Sequence, residues 1–394
     1  MRRYHNIGLL WLLAVILLFV PCDRAMAGTG GADHTTYDYQ DKMDWPEAPE
    51  ISAASAYMIE LNSGAVLYNK NGDAKSFPAS TTKIMTALLT LENCSLDEEI
   101  TFSRNAIYDI EEGGHHWEFE EGEVLTVDEC LQFLLCESVN EVGYALAEHI
   151  AGSISDFADM MNARAAELGA TGTHFNNPHG LNDEDHYTTA RDMALILWGC
   201  VQNEQFVHYC SLPSVSLAGH VIRTEGFSTY TNHHLMLREG SDYYDPDVVC
   251  GKTGYTSIAG NTLVTYASRG DMDVVCVLMQ GLSDRFDDTR KLLDYAFDNF
   301  TVQSSTALTG SDGGNGYLRL RDKGETGVCL PNSADWSKVT FSLKADETSG
   351  LVRVWNYGDV TLQKAPVELL IGPDKASEEE ASSEEGEASG ETAE

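Results

Sequence analysis

The sequence predicts an α+β protein, because its hydrophobic periodicity changes in long blocks instead of alternating element by element. Apolar, strand-length runs at 56–61 and 65–70 flank Asn62-Ser63-Gly64 and read as a β-hairpin. Helical spacing then prevails between residues 84 and 198, and β-branched runs at 262–267 and 274–279 bring strands back.

In chain order, Arg2 and Arg3 precede an apolar run at 7–20 and then Ala25-Met26-Ala27, the order of a secretory signal peptide over 1–27. That run is too short to span a bilayer comfortably, so the mature chain is expected to begin near Gly28. Pro21 directly before Cys22 fits a lipidated cysteine poorly. Residues 28–50 are polar and aromatic without period and read as a leader arm. A first domain over 51–303 follows. After the hairpin, Pro78 marks a helix start, and Ile84, Met85, Ala87, Leu88 and Leu91 recur at helical spacing. The stretch 125–150 carries Leu131, Leu134, Leu135, Val142, Leu146 and Ile150 on apolar faces, and 157–168 and 189–198 are two further helices. The two later strands are joined by Ser268-Arg269-Gly270-Asp271, and an amphipathic helix over 285–300 closes the unit against their sheet. Residues 304–316 are a linker by their glycine content. A small β-rich domain over 317–373 is suggested by alternation in Leu318-Arg319-Leu320-Arg321 and Val352-Arg353-Val354. Residues 374–394 are Glu, Ser, Ala and Gly with the single cation Lys375, a disordered acidic tail by composition. No internal repeat is present.

Composition excludes some functions. A formal net charge of −37 argues against nucleic acid, which needs a basic surface. None of the nine cysteines forms a C-x-x-C pair, and several sit on apolar faces, so buried free thiols are expected in place of a metal cluster.

Three short strings carry the chemistry: Ser80-Thr81-Thr82-Lys83, Ser138-Val139-Asn140 and Lys252-Thr253-Gly254. The first and third each occur once. Ser103-Arg104-Asn105 also fits S-x-N, but it stands at a helix start and reads as a cap. Ser138 falls between helical runs, where a residue can face a cleft. Read together, the strings describe an active-serine acyl-transfer site. Ser80 at a helix start would be the nucleophile, favoured by free N–H groups and the helix dipole. Lys83 lies one turn on, on the same face, and becomes a base once burial and a second cation such as Lys252 lower its pKa. Ser138 would relay protons to the leaving amine, and Asn140 would hold the acyl-side peptide. Lys252 and Thr253 would bind a substrate carboxylate by charge-assisted hydrogen bonds. Gly254 would let a substrate strand lie on the backbone, and the N–H groups of Ser80 and Tyr255 would hold the oxyanion. Each string alone can be structural, Ser80 and Thr81 as a cap and Lys252-Thr253-Gly254 as a turn before a strand. His115, His116, His174, His179, His186, His233 and His234 lack zinc-type spacing, and structural roles are expected for them.

At this point the residues resemble the low-molecular-mass penicillin-binding proteins that act as serine-type D-alanyl-D-alanine carboxypeptidases. The similarity runs from about residue 53 to 300 and extends beyond the three strings, to Pro78-Ala79-Ser80 through Thr86-Ala87, to Thr173-His174-Phe175-Asn176-Asn177-Pro178-His179-Gly180-Leu181, to His186-Tyr187-Thr188-Thr189-Ala190 and to Gly251-Lys252-Thr253-Gly254-Tyr255-Thr256. The resemblance implies the penicillin-binding/β-lactamase-like transpeptidase fold, an antiparallel sheet flanked by helices with an all-α lobe. It implies removal of the terminal D-alanine from peptidoglycan stem peptides ending in D-Ala-D-Ala, and acylation of Ser80 by β-lactam antibiotics, without cofactor or metal. Val139, Glu141 and Val142 depart from the small residues and aspartate common in the family. Members often end in an amphipathic helix on the membrane, whereas no such anchor is evident here and the acidic tail would be repelled by anionic lipid. The expected location is therefore outside the cytoplasm, secreted or associated with the cell wall. A β-lactamase would share the nucleophile and lysines, though the glutamate-bearing loop of class A enzymes is not evident. A catalytically silent wall-binding protein is the non-enzymatic rival.

Overall fold

The computed structural model describes residues 34–110, 117, 119–218, 227–282, 284–309, 318–323, 326–346 and 348–371. The signal peptide, the glycine-rich part of the linker, the acidic tail, His115 and His116 lie outside the described residues.

A five-stranded antiparallel sheet forms the centre, in the order Val66–Lys70, Ser55–Glu60, Met272–Gly281, Gly260–Arg269, Val248–Thr256. The middle strand reads as a nearly continuous apolar run because both its faces are covered. The period of two divides its side chains between two cores. Val275, Val277 and Met279 join the core shared with the helical lobe, while Val274, Cys276 and Leu278 join the core on the other face. The expected hairpin is the pair Ser55–Glu60 and Val66–Lys70, and the carboxylate of buried Glu60 closes its turn by accepting the Asn62 and Ser63 N–H groups at 3.1 and 2.8 Å. The helix Arg285–Asn299 packs against the opposite face, as its amphipathic pattern requires.

The helical lobe is assembled from Lys83–Asn93, Val127–Gln132, Asn140–Ala151, Ile154–Glu167, Ala190–Val201 and Glu204–Ser211. Apolar stripes at helical spacing, such as Leu131, Leu134 and Leu135 with Val142 and Leu146, meet in one core. Side-chain caps fix the helix starts: Thr126 and Glu129 form a reciprocal capping box, Ser153 and Thr189 each accept the N–H three residues on, and Ser103 accepts the Ala106 N–H at 3.0 Å. Ser103 is thus a cap, as read.

Beyond Arg285–Asn299 the chain continues as strand Phe300–Ser304, which pairs with Gly327–Pro331. A four-stranded sheet follows, in the order Leu318–Asp322, Val360–Ile371, Gly350–Tyr357, Val339–Asp346. Within it Arg353 Nη1 donates to Asp322 Oδ2 at 2.8 Å with both side chains buried. Residues 34–50 are laid along the body: Tyr39 is buried and donates to the Cys329 carbonyl at 2.5 Å, and Trp45 packs at a tilt against Phe300. The eight described cysteines are free thiols, seven of them buried. No helix among the described residues is long and apolar enough to cross a membrane.

Candidate active site

Ser80 lies in a single 3₁₀ turn, Ala79–Thr82, that leads into the helix Lys83–Asn93. The turn is tight. Its first residue, Ala79, has φ 50°, a left-handed backbone that costs an alanine roughly 1–2 kcal/mol. Two hydroxyls hold that geometry, Thr81 Oγ1 and Thr262 Oγ1, both donating to the Pro78 carbonyl at 2.7 and 3.0 Å. Two glycines give it room. A Cβ on Gly180, itself at φ +90°, would stand 1.8 Å from the Ala79 carbonyl oxygen. A Cβ on Gly254 would stand 2.3 Å from Thr262 Oγ1 and 2.9 Å from the Ser80 nitrogen. The missing side chain at Gly254 therefore gives room to the neighbouring strand at Thr262 and to the serine turn.

Lys83 is 0% exposed. Its Nζ lies 3.0 Å from Ser80 Oγ, 2.7 Å from Asn140 Oδ1 and 2.9 Å from the His179 carbonyl oxygen. The amide oxygen and the carbonyl can only accept. They consume two N–H bonds, and the third direction of the amine points at the serine oxygen. In an ammonium that direction is a donor; in a neutral amine it is a lone pair able to take the serine proton. Burial pushes the Lys83 pKa well below its ordinary value, and the Lys252 charge pushes it the same way, against a smaller opposing pull from Glu141.

Ser138 stands where a wide helical turn over Phe133–Glu137 gives way to the helix Asn140–Ala151, with φ 65°. This kink separates the two helical runs and turns Ser138 and Asn140 toward Ser80. Together they line a cleft of about 200 Å³ with Gly180, Thr253, Gly254 and Tyr255. Tyr255 is 66% exposed at the rim. Lys252 is placed differently. It is 1% exposed and is not among the residues lining the cleft, its Nζ donating to the Thr253 carbonyl at 3.1 Å, and burial foremost lowers its pKa to about 8.

The cation that does line the cleft is Arg285, whose Nη1 donates to the Gly254 carbonyl at 2.8 Å. By sequence Arg285 is only the start of a helix. A signal was available, because a cation in the first turn opposes the helix dipole and needs another reason to be there. His233 also lines the cleft, 3.7 Å from the mostly buried carboxylate of Glu137. His179 contributes its carbonyl to Lys83. His186 is structural, lying beneath the site with Nδ1 accepting the Asn176 N–H at 2.9 Å and Nε2 2.9 Å from Thr82 Oγ1, an arrangement that requires the neutral ring. A larger groove of about 380 Å³ lies among the C-terminal strands beside Arg321, Lys323 and Arg353 and contains none of the three strings.

Residues 42–283 match the sequence profile of the family described as D-alanyl-D-alanine carboxypeptidase. The chain is 30% identical over 356 residues to the D-alanyl-D-alanine carboxypeptidase DacF of Bacillus subtilis, covering 86% of this chain and 89% of that one. With the D-alanyl-D-alanine carboxypeptidase DacC of Escherichia coli it shares 31% identity over 261 residues, 64% of this chain and 62% of the relative. In three dimensions it is similar to penicillin binding protein 6B from Escherichia coli, with a TM-score of 0.64 and 25% identity over 83% of this chain and 97% of that one.

Gly254→Ala must displace Thr262 or the Ser80 turn, so it is expected to slow modification of Ser80 by active-serine reagents at least tenfold while the far-UV circular dichroism spectrum stays unchanged. His186 has its folded pKa lowered from 6.5 to about 3, mainly by burial. The unfolded chain therefore binds the extra proton in that window, and stability present above pH 6.5 drains away as the pH falls toward 3. In urea titrations between pH 7 and 4, His186→Gln is expected to lose less of its midpoint than the wild type over the same interval.

Proposed function

The chain belongs to the D-alanyl-D-alanine carboxypeptidase family, and from that membership we propose that it is a serine hydrolase that removes the C-terminal D-alanine from peptidoglycan stem peptides through an acyl-enzyme at Ser80. One observation carries the assignment of roles: the Nζ of a fully buried lysine lies 3.0 Å from Ser80 Oγ while chain acceptors occupy its other two directions.

In the proposed cycle neutral Lys83 takes the Ser80 proton as Oγ attacks the carbonyl carbon of the penultimate D-alanine. Negative charge collects on the carbonyl oxygen and is held by the N–H groups of Ser80 and Tyr255. The C–N bond then breaks, and the leaving amine of D-alanine receives a proton relayed from Lys83 through Ser138. Water attacks the ester carbonyl and loses a proton to Lys83, which returns it to Ser80 Oγ as the C–O bond breaks, and the freed peptide acid gives its proton to solvent. Asn140 has a double duty, fixing Lys83 and presenting its amide N–H₂ to the acyl-side peptide. The terminal carboxylate is matched by Thr253 and the Arg285 guanidinium, with the Lys252 charge behind them. Deep burial of Lys252 makes it more effective in setting the field around Lys83 than as a direct ligand.

β-Lactams present a strained amide to the same serine and give a stable acyl-enzyme. The substrate class places the work outside the cytoplasmic membrane, in keeping with the signal read over 1–27.

Mass spectrometry after penicillin exposure tests the nucleophile: one adduct on the wild type and none on Ser80→Ala is the expected pair of spectra, with the adduct persisting for many minutes. An adduct retained by Ser80→Ala refutes the mechanism, and turnover within seconds reassigns the chain to β-lactam hydrolysis. Lys252→Gln tests the proton route. Removing that charge raises the Lys83 pKa, so the rising limb of the acylation-rate profile is expected to move to higher pH, and a limb that stays put shows that Lys83 is not the base.

A further inference from the structure

We infer that Cys94, Glu98 and His149 form a zinc-binding site on the helical lobe, separate from the Ser80 cleft. None of the three lines that cleft. Cys94 caps the far end of the 11-residue helix that starts at Lys83, so about 16 Å of helix separates the two places. The thiol, a carboxylate oxygen and an imidazole nitrogen all lie within 4.8 Å of one another.

The geometry is close to what the metal needs. Tetrahedral zinc, with bonds of about 2.0–2.3 Å to S, N and O, holds neighbouring ligand atoms roughly 3.3–3.6 Å apart. His149 Nε2 and Glu98 Oε2 are already 3.2 Å apart. Cys94 closes on them by rotation of partly exposed side chains, and solvent access leaves the fourth position for water. The loop that carries two of the ligands is built before any metal arrives. Glu98 Oε1 accepts the Ser95 N–H at 2.6 Å, which holds the carboxylate and turns Oε2 toward the imidazole. The Glu98 and Leu96 carbonyls accept the Val127 and Asp128 N–H groups at 2.9 and 3.0 Å, which pins the loop to the next helix.

Donor chemistry selects the ion. Thiolate, imidazole and carboxylate together suit zinc, whereas calcium and magnesium call for oxygen alone. Cys94 is also distinguished among the eight described cysteines, since the other seven are buried and it is not. On binding, the Cys94 thiol releases its proton to solvent and the sulfur bonds to the metal. The ion then ties the end of one helix, a loop and a second helix together. Sequence spacing gave no sign of this and pointed away from a metal cluster, because the third ligand stands 51 residues beyond Glu98.

The test is calorimetric titration of the reduced full chain with Zn²⁺ alone, after stripping with a chelator, alongside Cys94→Ser and His149→Gln. One equivalent bound, with affinity at least tenfold weaker in each variant and unchanged circular dichroism spectra, is the expected result. A wild type that binds no stoichiometric zinc overturns the proposal, and so does a folded Cys94→Ser that binds as tightly as the wild type. If Cys94→Ser does not fold, His149→Gln decides by the same criterion. Neither variant touches the residues assigned to acyl transfer, so the outcome stands apart from that of the penicillin experiment.

Discussion

The contact between the buried amine of Lys83 and the oxygen of Ser80 is the constraint on which the rest of the structure depends. Holding a lysine away from water is costly, and the fold offsets that cost with two fixed acceptors, Asn140 Oδ1 and the His179 carbonyl. Those acceptors come from a helix start and from a loop that must cross over the serine turn. Gly180, where any side chain would collide with the Ala79 carbonyl, lets that loop descend far enough. The left-handed residues Ala79 and Ser138 are the local strain that this convergence entails, and the hydroxyls of Thr81 and Thr262 on the Pro78 carbonyl keep the first of them in place.

Much of this is legible in the residues. The hairpin, the helices after Pro78, the strands at 262–267 and 274–279 and the closing helix follow from period and turn chemistry, and the structure places each where the pattern does. The cap at Ser103 was separable from the cleft residue Ser138 because one stands at a helix start and the other between two helical runs. What could not be read depends on tertiary approach. The space at Gly254 is taken by the Thr262 hydroxyl and by the backbone nitrogen of a residue 174 positions earlier, and no local pattern records the latter. Lys252 reads as a ligand contact in the string, but its deep burial against the Thr253 carbonyl and the presence of half-buried Arg285 on the cleft lining depend on how distant segments meet. The aromatic residues at 37–45 read as a polar arm because their partners, Cys329 and Phe300, are contributed by the other end of the chain.

The central strand shows how one sequence serves two environments. Its odd-numbered side chains at 275, 277 and 279 face the lobe that carries Lys83 and Asn140, while 274, 276 and 278 face the helix Arg285–Asn299 that delivers Arg285. A shift of one residue in register would exchange the two sets and move both halves of the cleft at once.

Tyr39 donates its hydroxyl to a carbonyl 290 residues away, and the Lys364 N–H donates to the Tyr37 hydroxyl across 327. Seams of this length close late, since loop entropy must be overcome before such contacts form, and a growing polypeptide cannot make them until its last strands exist. A nascent chain released short of residue 327 would therefore leave Tyr39 and the Gly327 edge of Phe300–Ser304 unpartnered, and the molecule becomes sealed only when both extremities have been synthesised.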